Sequence, residues 1–394
     1  MLTFTPHQDT KKLGVKLKAI YVSGFLFSFH AALLVYIEST FLSQFIQEQL
    51  IGVVFTASSI LAILSLIWLP SVLSKIGNLR AVIIMVLIEI IALLCLAFLR
   101  NIYAILPIFI VHTSLYNTIL FNLDIFLESN SEDVSTGKTR GLFLTASNTA
   151  YIVPPLIAGF ILTDSNYWQV FLIASLFMIP MVILISKVFS NFRDPEYYSA
   201  PFWSTLKKIR GRKNIYFILM SNTILSFFFS WMVIYTPLYL HNHIGLEWSS
   251  IGIIFTIMLI PFVILDIPLG KLADLFLGEK EMLSAGFIIG AIATFFLSIL
   301  TSTNLFLWAV ILFFTRVGAA IVQIMNETYF FKQIDENDSH IISIYRMTQP
   351  IGYAIGPLTA TLFLSVIDFR YLFVVLAFIF LYGLRYSLPL DDTK

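Results

Sequence analysis

The sequence predicts an all-α polytopic membrane protein: twelve transmembrane helices arranged as two pseudo-symmetric six-helix bundles. Three observations point there. Only 12% of the 394 residues are charged and 58% are hydrophobic, whereas soluble globular chains carry about 25% charged residues. Apolar runs recur along the chain, each long enough to cross a ~30 Å hydrocarbon core. The ~10-residue alternation of a membrane β-barrel is not seen. Finally, a charged, glycine-punctuated stretch occurs once in each half, "LPSVLSKIGNLR" at Leu69–Arg80 and "LGKLADLFLGEKE" at Leu269–Glu281.

The first span covers 17–40 and follows the basic flank "KKLGVKLK". It is too long for a signal-peptide core and lacks a small-residue cleavage site, so it reads as a retained helix. Spans two to four fall at 50–73, 79–99 and 102–127, and spans five and six at 140–163 and 166–190. The second half repeats the series at 214–240, 248–270, 281–301, 303–330, 340–366 and 369–389.

Basic residues orient these spans. With the termini on the inner side, the outer loops hold only Arg100 and Arg370, and Arg316 and Arg346 lie within spans. Every other Lys and Arg falls on the side of the termini, as the positive-inside rule requires of cytoplasmic loops. The expectation is a multi-pass protein of the cell (inner or plasma) membrane with both termini cytoplasmic.

The chain divides into a bundle over 1–190, a cytoplasmic linker over 191–213 and a bundle over 214–394. In the linker, "PFWSTLKKIRGRK" sets Phe202, Leu206 and Ile209 on one helical face among basic residues. That is the pattern of an amphipathic helix lying on an anionic leaflet. A net charge of +1 argues against a nucleic-acid partner, and the single cysteine, Cys95, has no intrachain partner for a disulfide.

The halves echo each other at an offset of about 200 residues. Both charged stretches join the second and third spans of their half, and "IVPPLIAGFIL" and "AIGPLTATLFL" both lie in the fifth. In the second half, Gly270, Leu272, Ala273, Asp274, Gly278 and Lys280 follow the pattern G-x-L-A-D-x-x-G-[RK]-[RK] with one extra residue. In the first half the pattern has decayed: Pro70 and Ser74 replace Gly and Asp, while Gly77, Lys75 and Arg80 survive. On these residues the chain resembles the major facilitator superfamily over its whole length. The resemblance implies secondary transport by rocker-switch alternating access, in a compact transporter of the bacterial kind.

Span five also resembles the G-x8-G-x3-G-P-x2-G-G motif of the superfamily's drug–proton antiporters. Gly141, Pro155 and Gly159 match it, whereas Ala150, Pro154 and Ala158 do not. Pro154 and Pro155, with Gly356 and Pro357 in span eleven, are read as helix-bending residues. Because both halves carry such residues, the motif tilts the reading only slightly toward export. Proton antiport of a small organic compound comes first, and proton-coupled metabolite uptake second. A lipid flippase or lipid-handling protein stands as an alternative of another class. The partners implied are a small-molecule substrate, protons and membrane lipids, with the chain acting as a monomer.

Ionisable groups at membrane depth are costly and mark function by default. By helical rise, His30, Glu89, His112 and Arg316 lie ~14–20 Å into their spans. The resemblance places spans one and four of each half around the cavity. It makes His30, His112, Asn117, Asn222, Trp231, Tyr235, Arg316, Gln323 and Asn326 substrate-cavity candidates, together with Tyr36. Glu89, His30, His112 and Glu38 are the proton-coupling candidates. Arg316 cannot neutralise itself. It therefore needs an anionic substrate, a wet cavity or a carboxylate such as Glu89 or Asp266.

At the cytoplasmic helix ends, Asp124, Arg140, Asp266, Glu327 and Arg346 read as gate residues. Gly270, Asp274, Gly278 and Lys280 read as a latch whose carboxylate meets helix N-terminal amides. Glu128 and Lys332 read as snorkelling helix-end charges. No phosphate loop and no metal-ligand spacing stands out, so neither an enzyme nor a cofactor is expected.

Overall fold

A computed structural model describes residues 6–130, 136–162, 166–195, 197, 209–265, 268–269, 278–334 and 339–391. The linker segment 198–208 lies outside them, as do Asp266, Gly270 and Asp274. Among the described residues the chain is helical, without strands. This is the expected solution in lipid, where a helix satisfies its own backbone groups.

The first half comprises α1 (Pro6–Leu34), α2 (Glu38–Ser43), α3 (Glu48–Ile76), α4 (Asn78–Phe98), α5 (Ile102–Glu128), α6 (Thr136–Thr149), α7 (Pro154–Ile161) and α8 (Tyr167–Val188). The second comprises α9 (Lys213–Leu238), α10 (Trp248–Leu259), α11 (Pro261–Ile264), α12 (Glu279–Leu297), α13 (Leu305–Lys332), α14 (Ser339–Leu364), α15 (Leu372–Leu381) and α16 (Leu384–Ser387). A π-turn, Tyr239–His243, extends α9.

Among the described residues nine segments are long and apolar enough to cross a membrane, and they match expected spans one to four, six, seven, nine, ten and twelve. The other three differ for visible reasons. Span five is split into α6 and α7, because Pro154 and Pro155 lack N–H donors and disfavour helix in the residues before them. Tyr151 and Ile152 instead donate to Asn148 and Thr149, three residues back. Span eight appears as α10 and α11, up to residues that are not described. Span eleven is the continuous α14, with Pro350 and Pro357 inside it. The two fifth spans, alike in sequence, therefore differ in backbone.

The internal repeat is present in the capping chemistry. Asn101 accepts a hydrogen bond from the Tyr103 N–H (2.9 Å) at the start of α5, and Asn304 accepts one from the Phe306 N–H (2.9 Å) at the start of α13. Each side chain satisfies one of the amides that a helix start leaves unpaired. Gly77 and Gly278 stand at the N-caps of α4 and α12. Helix pairing repeats as well: α1 on α6 and α9 on α14, α4 on α5 and α12 on α13, α4 on α8 and α12 on α15.

By contact the chain forms two compact units. The first holds Met1–Leu34, Leu64–Pro154 and Asp164–Ser199, and the second Val35–Ile63, Pro155–Thr163 and Ala200–Lys394. In the first unit, Phe27, Val82, Val86, Ile119, Leu123, Phe126 and Met178 form a buried core. In the second, Gly318 of α13 meets the backbone of Gly286 and Gly290 on α12. Small residues four apart permit such close approach between membrane helices. Trp68, Phe98, Leu362 and Phe378 are exposed, as side chains that face lipid should be.

Candidate functional site

Three of the four ionisable residues expected at midplane depth come together in the first unit. His30 on α1, Glu89 on α4 and His112 on α5 are all buried. Glu89 Oε1 lies 3.0 Å from His30 Nε2 and 2.6 Å from His112 Nδ1. Glu89 Oε2 has no hydrogen-bond partner.

The geometry also counts protons. His30 Nδ1 lies 2.7 Å from the Phe27 carbonyl oxygen. A carbonyl only accepts, so His30 Nδ1 carries a hydrogen and donates it. In a neutral ring, Nε2 is then an acceptor facing the Glu89 oxygen. Two acceptors cannot bond at that distance unless a proton lies between them. The cluster therefore holds one proton beyond a neutral His30 and an ionised Glu89. Either the ring is an imidazolium or the carboxyl is an acid.

Arg316 belongs to the second unit, on α13, and is only 1% exposed. Its guanidinium lies over the Phe229 ring, 5.6 Å from the centroid, and the Tyr36 hydroxyl interacts with it. Nε and Nη2 have no hydrogen-bond partner. Of the two carboxylates considered for Arg316, Glu89 gives its bonded oxygen to two histidines, and Asp266 lies outside the described residues. Tyr36 sits in the helix interruption between α1 and α2. Discontinuous helices in membrane transporters often supply binding groups.

The remaining cavity candidates divide by what they touch. Trp231 Nε1 donates to the Gly356 carbonyl (2.6 Å), and the Tyr235 hydroxyl donates to that of Pro357 (3.2 Å). Both tie α9 to the proline-bearing stretch of α14. Asn222 Nδ2 donates to Thr348 Oγ1 (2.7 Å), and Asn326 Oδ1 accepts from Ser221 Oγ (2.7 Å). Asn326 Nδ2 has no partner. Asn117 and Gln323 are half-buried, and Glu38 is buried at the start of α2.

Among the gate and latch candidates, Asp124 and Glu327 are half-buried and Arg346 is exposed. Arg140 lies on α6, with its side chain outside the described residues. Lys280 is half-buried and lies next to Glu279, which the sequence reading passed over. Glu279 is buried at the first turn of α12 and forms an ion pair with Lys332. Lys332 is thus not merely a snorkelling charge.

A second overlooked carboxylate is Asp194. Its Oδ1 accepts from the Asn78 backbone N–H at the start of α4 (2.7 Å) and from the Tyr197 hydroxyl (2.5 Å). The decayed first-half loop has Ser74 where an Asp was expected, and Asp194 supplies a carboxylate at the helix N-terminus instead. Burial and the neighbouring carboxylate together push the Tyr197 phenol above its ordinary range. The sequence signal was there in "FRDPEYY", just after span six, but nothing local tied it to a loop over 100 residues earlier.

Gly77 makes this seat possible. Its φ of 79° and ψ of 159° are open essentially to glycine alone. A Cβ there would stand 2.6 Å from Asp194 Oδ2. We expect Gly77→Ala to cost ~1–3 kcal/mol and Asp194→Asn up to ~1 kcal/mol of charge–dipole stabilisation. Exposed Ser74→Ala should be neutral. Thermal unfolding in detergent checks the order, and a wild-type Tm for Gly77→Ala would refute the strained turn.

A last polar group lies in the second unit. Glu48, at the start of α3, accepts from Asn242 Nδ2 (2.7 Å), and its other oxygen lies 2.8 Å from His243 Nε2. Nearby, Gly159 of α7 meets Gly252 of α10: a Cβ on Gly252 would stand 2.7 Å from the Pro155 carbonyl oxygen and 3.1 Å from Gly159 Cα. These contacts fasten pieces of the first half of the chain to the second.

The family model described as Major Facilitator Superfamily matches residues 20–258 and again 219–393. The chain belongs to the Major Facilitator Superfamily. The two overlapping matches repeat the internal echo seen in the sequence and in the helix caps. Membership makes this facilitator a secondary transporter of small molecules and not an enzyme. No match was found among curated proteins. The buried charges of this facilitator are therefore read from its own geometry.

Proposed function

We propose that this facilitator couples proton movement to the passage of a small organic solute, and that His30, Glu89 and His112 form its proton site. The single observation behind this reading is the shared Glu89 oxygen between two imidazoles, with His30 Nδ1 already committed to a carbonyl. The cluster joins three helices, so gain or loss of its proton changes how α1, α4 and α5 are held together. A buried charge left without its partner costs several kcal/mol. That is enough to shift a conformational equilibrium between access states.

Two directions of coupling have support. The broken span five and its partial antiporter motif favour export. The buried guanidinium of Arg316 favours uptake, and we give it more weight. A monoanion entering against an inside-negative potential pays ~2.3 kcal/mol per 100 mV. A proton carried with it cancels that charge, so symport is the electroneutral solution for an anionic solute.

Reconstituted protein under an imposed pH gradient tests the proposal. Solute should accumulate on the alkaline side, with proton entry recorded by an internal pH dye. Accumulation on the acidic side would show antiport. Solute flux unaffected by the gradient, with no proton movement, would overturn the coupling altogether.

A further inference from the structure

We infer that the transported solute is a monocarboxylate with an apolar body, bound side-on by Nε and Nη2 of Arg316. This deepens the transport reading above by naming its substrate class. The argument begins with which nitrogens are unsatisfied. An arginine presents five N–H donors in a rigid plane. The Nε–H and one Nη2–H point in parallel along one edge of that plane. They form the fork that matches the two oxygens of a carboxylate. In this protein those two nitrogens are buried without a hydrogen-bond partner.

The energetics require an acceptor. Burying an unpaired guanidinium is strongly unfavourable. The Phe229 ring beneath it offsets part of that cost, and the Tyr36 hydroxyl interacts with the same group. Neither closes the gap. A residue this buried, kept without an acceptor at its fork, is explained by a ligand that supplies one during the cycle.

The surroundings specify the ligand further. Along α13 the next charged residues, Glu327 and Lys332, lie ~17 and ~24 Å on by helical rise. A single guanidinium fork suits the one negative charge of a monocarboxylate better than a dianionic phosphate ester. Both side chains that meet the guanidinium are aromatic, and each packs on a further ring. The Tyr36 ring lies 4.7 Å from that of Phe255, and the Phe229 ring 6.0 Å from that of Phe262. Rings so placed favour an apolar, aryl-sized body behind the carboxylate. Tyr36 also sits where the first span is interrupted, between α1 and α2.

Equilibrium binding to the purified full-length protein, with no gradient, tests this separately from proton coupling. The probes are phenylacetate, its neutral isostere phenylacetamide, the cation phenethylammonium, and inorganic phosphate. We expect phenylacetate to bind at least tenfold tighter than each of the others. Arg316→Gln should abolish that preference, and Arg316→Lys, which keeps the charge but not the fork, should retain only part of it. Equal binding of the amide, or tighter binding of the ammonium or of phosphate, would overturn the inference. So would an Arg316→Gln protein that still prefers the carboxylate. The wild-type comparison needs no variant, so it decides the matter even if Arg316→Gln does not fold. Loss of proton coupling with carboxylate preference intact would refute the proton site alone.

Discussion

Glu89→Gln should abolish gradient-driven accumulation while leaving solute exchange in place. One pH unit across the membrane is worth about 1.4 kcal/mol per proton, so one-proton symport sustains about tenfold accumulation. In the variant that ratio should fall to about one. Folding should survive because glutamine suits the neutral cluster. Both imidazoles face the one oxygen Oε1, and a glutamine amide nitrogen in its place can donate one hydrogen to His30 Nε2 and the other to His112 Nδ1 of a neutral ring. The variant thus removes the titratable proton but not the hydrogen bonds that join α1, α4 and α5. Alanine would be a poorer test, since it leaves two buried imidazoles without their acceptor. Counterflow with equal pH on both sides separates the outcomes: exchange without accumulation supports the proton site. Tenfold accumulation by Glu89→Gln would remove Glu89 from the coupling.

Gly252→Val should slow transport at least tenfold with solute binding little changed. At this crossing both partners present backbone. A Cβ on Gly252 meets the Pro155 carbonyl oxygen and Gly159 Cα, and one on Gly159 would stand 2.5 Å from the Trp248 carbonyl oxygen. Backbone cannot turn aside as a side chain can, so α7 and α10 must separate. Overpacking of this kind costs ~1–3 kcal/mol. In an alternating-access cycle that penalty falls only on the state in which the contact is made. A shift of that size changes the balance of states by ~5- to 150-fold. Gly159→Ala should act in the same direction, and the double variant should be less than additive, because both relieve one contact. Gly14, where a Cβ meets nothing within 4 Å, supplies the control. Gly14→Ala should transport normally. Wild-type rates in Gly252→Val would mean that the crossing does not open during turnover.

Much of this protein was legible before any coordinates. Hydropathy and the recurrence of charged turns established a polytopic helical protein, and the echo between Leu69–Arg80 and Leu269–Glu281 established a repeat. Those features are local or periodic, and lipid leaves few alternatives to a helix. Even the caps at Asn101 and Asn304 follow from residues next to the helices they start. The fifth spans mark the limit. Both carry a proline and small neighbours, yet only Pro154 and Pro155 split a helix, because adjacent prolines remove two successive donors.

The functional groups divide along the same line. Helical rise gave each ionisable residue a depth, and His30, Glu89, His112 and Arg316 stood out as a set of four. Depth says nothing about which way a side chain points around the helix axis or which neighbour it meets. Only the tertiary structure joins His30, Glu89 and His112 through one oxygen and sets Arg316 over an aromatic ring instead, and only it brings Asp194 to the start of α4. The sequence by itself determined which charges enter the membrane, since each must be afforded there residue by residue. Their partners were decided by the packing of helices far apart in the chain, which no local pattern encodes.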